Sequence, residues 1–133
     1  MTRINVVPVQ ELADEQLKAE YRELPRVIKG DFNLKDAPDF YCLGKGHVKW
    51  AKKHSWWILC RYEELCDEMK YRGFQVNYPY ENLLNKYYNT IGFGYVVTED
   101  DIKLSRKRLV EKYQLKPSFY HWTNREKPQW FMS

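Results

Sequence analysis

Residues 14–27 read DEQLKAEYRELPRV, and how this stretch folds decides the class of the chain. Ala13, Leu17, Tyr21 and Leu24 recur at helical spacing and form one apolar stripe. Lys18, Arg22 and Arg26 repeat every four residues and make a basic stripe. Gln16, Ala19 and Glu23 share a neighbouring face. The pattern predicts a first helix that starts around Glu11 to Asp14. Pro25 removes the donor that the Tyr21 carbonyl would receive, so it is expected to kink or stop that helix.

On the N-terminal side, MTRINVVPVQ reads as an extended arm, with Pro8 opposing a helix. On the other side, residues 28–50 are turn-rich, punctuated by Gly30, Pro38, Gly44 and Gly46. A second helix is predicted from Ser55 to Arg72. Ser55 is its expected N-cap, Gly73 its stop, and Ile58, Tyr62, Leu65 and Met69 its buried face. Residues 80–88 suggest a short helical turn, and GYVV an extended segment. A third helix opens with a capping-box pattern, Thr98 to Asp101. Ile102, Ser105, Leu109 and Tyr113 face inward on it; Lys103, Lys107, Arg108 and Lys112 face out. The tail KPSFYHWTNREKPQWFMS mixes rings, bases and prolines and should wrap irregularly. The expectation is an all-α fold: one compact domain spanning 1–133, of about three main helices with irregular connections, and an extended N-terminal arm threading toward helix one.

A chain of 133 residues, 44% hydrophobic, buries roughly two thirds of its unfolded surface and supports one modest core. No apolar run reaches the length of a membrane span, and the first residues lack an apolar leader. A cytoplasmic protein, or one in host-cell cytoplasm if viral, is expected. The three cysteines, Cys42, Cys60 and Cys66, are odd in number and contain no Cys-x-x-Cys pair, so neither a disulfide framework nor a zinc ribbon is indicated. His47, His54 and His121 lack i, i+4 spacing, and neither a metal nor a cofactor is expected. The net charge of +4 is a mild bias toward polyanions. Eleven Tyr, six Phe and five Trp suit either a ring-rich core or a surface that stacks on bases.

The sequence contains no Gly-rich phosphate loop and no G-x-S-x-G elbow. An inconspicuous nucleophile remains. Initiator Met is commonly removed before a small residue, and here the second residue is Thr2. An α-amine titrates at about 7.7–8.0, against about 10.4 for lysine, so far more of it is free base at neutral pH. Such an amine attacks a sugar C1′ and forms imines readily. Arg3 beside it would attract phosphate. Glu23 stands between Arg22 and Arg26, and the residues alone leave two readings of it. It is a solvated helix charge paired with an arginine, or an anion that stabilises positive charge at a sugar.

MTRIN, ELAD and AEYRELPRV, followed in order by LGKGHV, KYRGF and RLVEK, resemble the phage-type endonuclease V family of pyrimidine-dimer DNA glycosylases. KPSFYHW is similar to that family's aromatic C-terminal segment. The resemblance is dense over residues 1–27 and patchy beyond. It implies a DNA-repair enzyme, a bifunctional N-glycosylase and abasic-site lyase. Its Thr2 amine displaces the 5′ base of an ultraviolet-induced dimer, and β-elimination at the resulting imine then nicks the strand. It implies that Glu23 is the essential carboxylate. Arg3, Arg22 and Arg26 would hold phosphates around the lesion, and Arg108, Lys112 and Lys116 would bind the DNA backbone. The family also turns a base out of a kinked duplex into a protein pocket. Tyr21 is expected to help shape that pocket, and Phe119, Tyr120 and Trp122 either press toward DNA or pack into the core. The implied partner is double-stranded DNA carrying pyrimidine dimers, bound by a monomer.

The chain departs from the family in three places. IKGDFNLKDAPDFYC is shorter and less basic, which predicts weaker sliding on DNA. Glu15-Gln16 replaces a Gln-His pair, and the tail reads Phe-Tyr-His-Trp. A damaged-DNA-binding module without catalysis, or a glycosylase or lyase for other lesions or abasic sites, is the alternative.

Overall fold

The three expected helices form because their apolar positions repeat at helical spacing; the first two bury that stripe, while the third buries Ser105 and Leu109 and leaves Ile102 and Tyr113 half-buried. A computed structural model describes residues 4–28 and 35–131, with Thr90 described by its backbone alone. Among them are five α-helices: α1 (Asp14–Val27), α2 (His47–Lys53), α3 (Ser55–Tyr71), α4 (Tyr80–Tyr87) and α5 (Glu99–Leu115). Single 3-10 turns lie at Val9–Glu11, Tyr88–Thr90, Pro117–Phe119 and Gln129–Phe131. The fold is all-α. No helix among the described residues is long and apolar enough to cross a membrane.

Helix α3 is the hub, with α1, α2 and α4 packed on it. Its predicted face of Ile58, Tyr62, Leu65 and Met69 is buried, against Leu17, Tyr21 and Leu24 of α1 in the same core. It ends as expected. Gly73 adopts φ +85° with open space around it, so the left-handed backbone and not crowding selects glycine there. The Gly73 N–H bonds to the Lys70 carbonyl and the Phe74 N–H to the Met69 carbonyl, a Schellman closure. Thr98 caps α5 as predicted: its hydroxyl accepts the Asp101 N–H at 3.1 Å, and the Asp101 carboxylate accepts the Thr98 N–H at 3.0 Å.

Four expectations change. Helix α2 begins inside the turn-rich stretch and runs past its end, seven residues with Trp50 and Ala51 wholly buried. Ser55 does not cap α3. A single residue, His54, separates the helix from the end of α2, and the Ser55 hydroxyl accepts the Gly92 N–H instead. The segment at 91–97 closes that junction, with the Phe93 N–H bonding to the Lys53 carbonyl and the Phe93 carbonyl receiving the Trp56 N–H. Pro25 does not stop α1, which runs on to Val27. In the last turn it deprives only the Tyr21 carbonyl of a donor. The arm is less uniformly extended than expected, with a 3-10 turn at its end.

Candidate active site

The site begins with how the two chain ends are held. Each arm residue from Ile4 to Val7 is tied to a different part of the fold. The Ile4 N–H bonds to His47 Nε2 at 2.9 Å, and its carbonyl accepts the Tyr41 hydroxyl at 2.7 Å. The Asn5 N–H and Nδ2 both donate to Glu20 Oε1, the Val6 N–H donates to the Ser105 hydroxyl, and the Val7 carbonyl accepts from Arg61. Glu20 is 2% exposed and Arg61 3%. Arg61 Nε lies 2.7 Å from Glu20 Oε2, so the arm is bound to α1 and α3 through one buried ion pair.

A second buried network holds the tail. Asp14 accepts from Arg72 and from both the N–H and hydroxyl of Thr123. Glu68 accepts from Arg72 and from Arg125. Burial pushes the Asp14 carboxyl up, but the Thr123 and Arg72 hydrogen bonds outweigh it, so its pKa falls below 3.8. Glu68 is lowered from 4.5 for the same reason, through Arg125 and Arg72. At the start of the tail, Glu15 accepts from the His121 N–H at 2.9 Å and lies 3.1 Å from its imidazole.

Between these anchored ends is an open hollow of about 540 Å³. Helix α1 contributes Glu15, Gln16, Lys18, Ala19, Arg22 and Glu23, the arm contributes Asn5, α5 contributes Arg108 and Lys112, and the tail contributes Phe119 and Tyr120. Gln16, Ala19 and Glu23 share this face as their spacing predicts. Glu23 pairs with Arg26 at 3.3 Å, with 36% and 70% of the two side chains exposed. A pair this open contributes about 0.2–1 kcal/mol, so a phosphate can compete for Arg26 at little cost. The hollow therefore sets Glu23, with Glu15 and the buried Glu20, among Lys18, Arg22, Arg108 and Lys112, and is walled by two rings. No group of three or more metal-ligating side chains occurs among the described residues.

The family model described as pyrimidine dimer DNA glycosylase matches residues 1–82. The chain belongs to the pyrimidine dimer DNA glycosylase family. It is thus a DNA-repair glycosylase acting on ultraviolet lesions. Helix α1 and Asn5 fall within the matched span; Arg108, Lys112, Phe119 and Tyr120 lie beyond it, and only the fold brings them to the same hollow.

For this glycosylase, the sequence-predicted residues divide into groups. Arg22, Glu23, Arg108, Lys112, Phe119 and Tyr120 come together. Tyr21 and Arg26 face a second hollow of about 440 Å³, which Arg22 also borders. There Tyr21 stacks on Tyr62 at 5.6 Å, and its hydroxyl accepts the Tyr78 N–H. Trp122 takes the core-packing reading. Its ring meets Tyr113 and Phe131, and its N–H donates to the Glu11 carbonyl. Lys116 stands outside both hollows, 6.0 Å from the Phe119 ring. Thr2 and Arg3 lie outside the described residues. Sequence reasoning missed Asn5, Glu20 and Arg61. The signal was present for two of them: Glu20 interrupts the apolar stripe of Leu17, Tyr21 and Leu24, and Arg61 interrupts that of Ile58, Tyr62 and Leu65.

Proposed function

We propose that this glycosylase removes the 5′ base of a cyclobutane pyrimidine dimer with the Thr2 α-amine and then cuts the strand as a lyase. After Met1 is removed, the amine nitrogen attacks C1′, and the bond from C1′ to the base nitrogen breaks. Ring opening at C1′–O4′ passes a proton to O4′ and leaves an imine at C1′. The imine acidifies the C2′ proton. Its removal expels the 3′ phosphate oxygen and breaks the strand. Glu23 stabilises the cationic sugar and carries the protons of ring opening and elimination. Arg3, Arg22, Arg26, Arg108, Lys112 and Lys116 grip phosphates. The tyrosine-lined second hollow receives an extruded base, with Tyr21 stacked in its wall.

The observation that carries this reading is the placement of Glu23 in a hollow bordered by Arg22, Arg108 and Lys112 and by Asn5 of the anchored arm. Thr2 is two residues before Ile4, and two residues of chain span at most about 7 Å. That short reach, from an arm whose Asn5 borders the hollow, supports an amine acting there.

Borohydride reduction on ultraviolet-irradiated duplex is expected to trap a covalent protein–DNA adduct. Retaining Met1, verified by intact mass, abolishes it. Glu23→Gln binds the duplex but loses base removal. Strand cleavage by the Met1-blocked protein would sink the mechanism. Salt-sensitive binding to damaged duplex without scission would instead make the chain a binding module.

A further inference from the structure

Helix α2 starts with a histidine that the mechanism above does not use. His47 is 1% exposed. It follows Gly46, whose φ is +96° and where an added Cβ would lie 3.2 Å from Pro38 Cγ, so a side chain has little room and α2 sits close against the preceding loop. His47 Nδ1 lies 2.7 Å from the Cys42 carbonyl oxygen, which can only accept, so Nδ1 carries the proton. Nε2 lies 2.9 Å from the Ile4 backbone nitrogen, a donor, so Nε2 presents its lone pair. The neutral Nδ1–H tautomer satisfies both contacts. The ring is held in place by Trp50, near-parallel at 6.3 Å, and by the edge of Tyr41 at 5.7 Å. Tyr41 donates its hydroxyl to the Ile4 carbonyl. One wholly buried residue, Ile4, is thus gripped on its N–H by His47 and on its C=O by Tyr41.

We propose that His47 is a positioning residue for the N-terminal nucleophile: its unprotonated Nε2 fixes the register of the arm two residues from the attacking amine. The proposal rests on the reading of Thr2 given above. A backbone N–H without an acceptor in this buried position would pull the arm from its groove, and misplacing a nucleophile by about 1 Å costs on the order of 100-fold in rate.

Two variants separate the ring's contacts. His47→Asn keeps a donor for the Cys42 carbonyl and removes the acceptor for Ile4. His47→Gln places a carbonyl oxygen near the Nε2 position and restores that acceptor. In single-turnover borohydride trapping on saturating abasic-site duplex, His47→Asn is expected to slow imine formation by about 10- to 100-fold. Its duplex affinity stays close to that of the parent, and His47→Gln recovers most of the rate. A folded His47→Asn protein that traps at the parent rate would overturn the proposal. So would equal losses in both variants, because a merely structural role does not distinguish them. Nitrogen-15 spectra of the parent test the tether without reference to activity. An Nδ1-protonated ring and a slowly exchanging Ile4 amide, the latter lost in His47→Asn, support it; an Nε2-protonated ring refutes it. If the parent protein forms no adduct while the ring is Nδ1-protonated, the Thr2 reading has failed and the tether has not.

Discussion

Glu20→Gln makes the sharpest test of how the arm is held. The substitution conserves shape and removes one charge. In the parent, the Glu20 carboxylate accepts four hydrogen bonds from the described residues: from Asn5 N–H at 3.3 Å, Asn5 Nδ2 at 2.9 Å, Arg61 Nε at 2.7 Å and Arg61 Nη2 at 3.2 Å. A glutamine offers one oxygen. Its amide nitrogen is a donor and must face either Arg61 Nε or Asn5, both donors already. Arg61 is left as a buried cation without its counter-charge. Removing one partner of such a pair costs about 3–5 kcal/mol. For a chain of this length, 1 kcal/mol moves Tm by about 3–5 °C, so a fall of roughly 10–20 °C is expected.

Thermal and urea unfolding followed by circular dichroism read the effect. The companion variant is Glu20→Gln/Arg61→Met, which removes the orphaned cation while the glutamine still accepts from Asn5. It should be more stable than the sum of its single losses implies, by about 1–3 kcal/mol of coupling. A Glu20→Gln loss below about 1 kcal/mol, or losses that simply add, would show that the buried pair is not what pins the arm.

Gly92→Ala tests the α2–α3 junction. The added Cβ would lie 2.5 Å from the Lys53 carbonyl oxygen and 3.0 Å from the Ser55 hydroxyl, and backbone cannot give way cheaply. A stability loss of about 1–3 kcal/mol in urea unfolding is expected; a neutral result would contradict the geometry. Glu68→Gln tests the tail network through pH. The folded pKa of Glu68 is depressed below 4.5, so its contribution is fully present above that value and is lost as pH falls through the lower folded value. The stability difference between parent and Glu68→Gln should therefore be constant above 4.5 and shrink below it. A difference that grows on acidification would reverse the sign and refute the assignment.

The long helices were legible because each repeats its apolar residues over about three turns or more, and α3 and α5 also carry their own stop and cap, Gly73 and Thr98. Helix α2 was not. Seven residues hold too little periodicity, and the glycines before it read as turn. Ser55 looked like a cap from its neighbours alone, but its hydroxyl is taken by Gly92, 37 residues away. The Arg22–Glu23 half of the hollow was readable from helical spacing, since adjacent residues of one helix need no tertiary information. That Arg108 and Lys112 of α5 and Phe119 and Tyr120 of the tail complete it depends on how those two segments lie against α1, which no local pattern records. The two readings of Trp122 were separated by a partner outside its own segment, the Glu11 carbonyl.

The buried charges explain why the ends of this chain can build a site at all. An arm and a tail have little cooperative structure of their own, and apolar contact alone lets a segment slide. Glu20 and Asp14 lie on α1, six residues apart; Arg61 and Arg72 lie on or just past α3, eleven residues apart, or about three helical turns. Glu20 with Arg61 takes hold of Asn5 and Val7, while Asp14 with Arg72 takes hold of Thr123, Val9 and Gln10. Each pair has donors and acceptors at fixed positions, so it accepts one register of the segment it binds and penalises the others by leaving a charge unpaired. Hydrophobic residues of the same volume would stabilise the core as well and specify less. The face of α1 beside these two clamps carries Glu15, Gln16, Ala19, Arg22 and Glu23, and there Asn5 of the arm and Phe119 and Tyr120 of the tail border the same hollow.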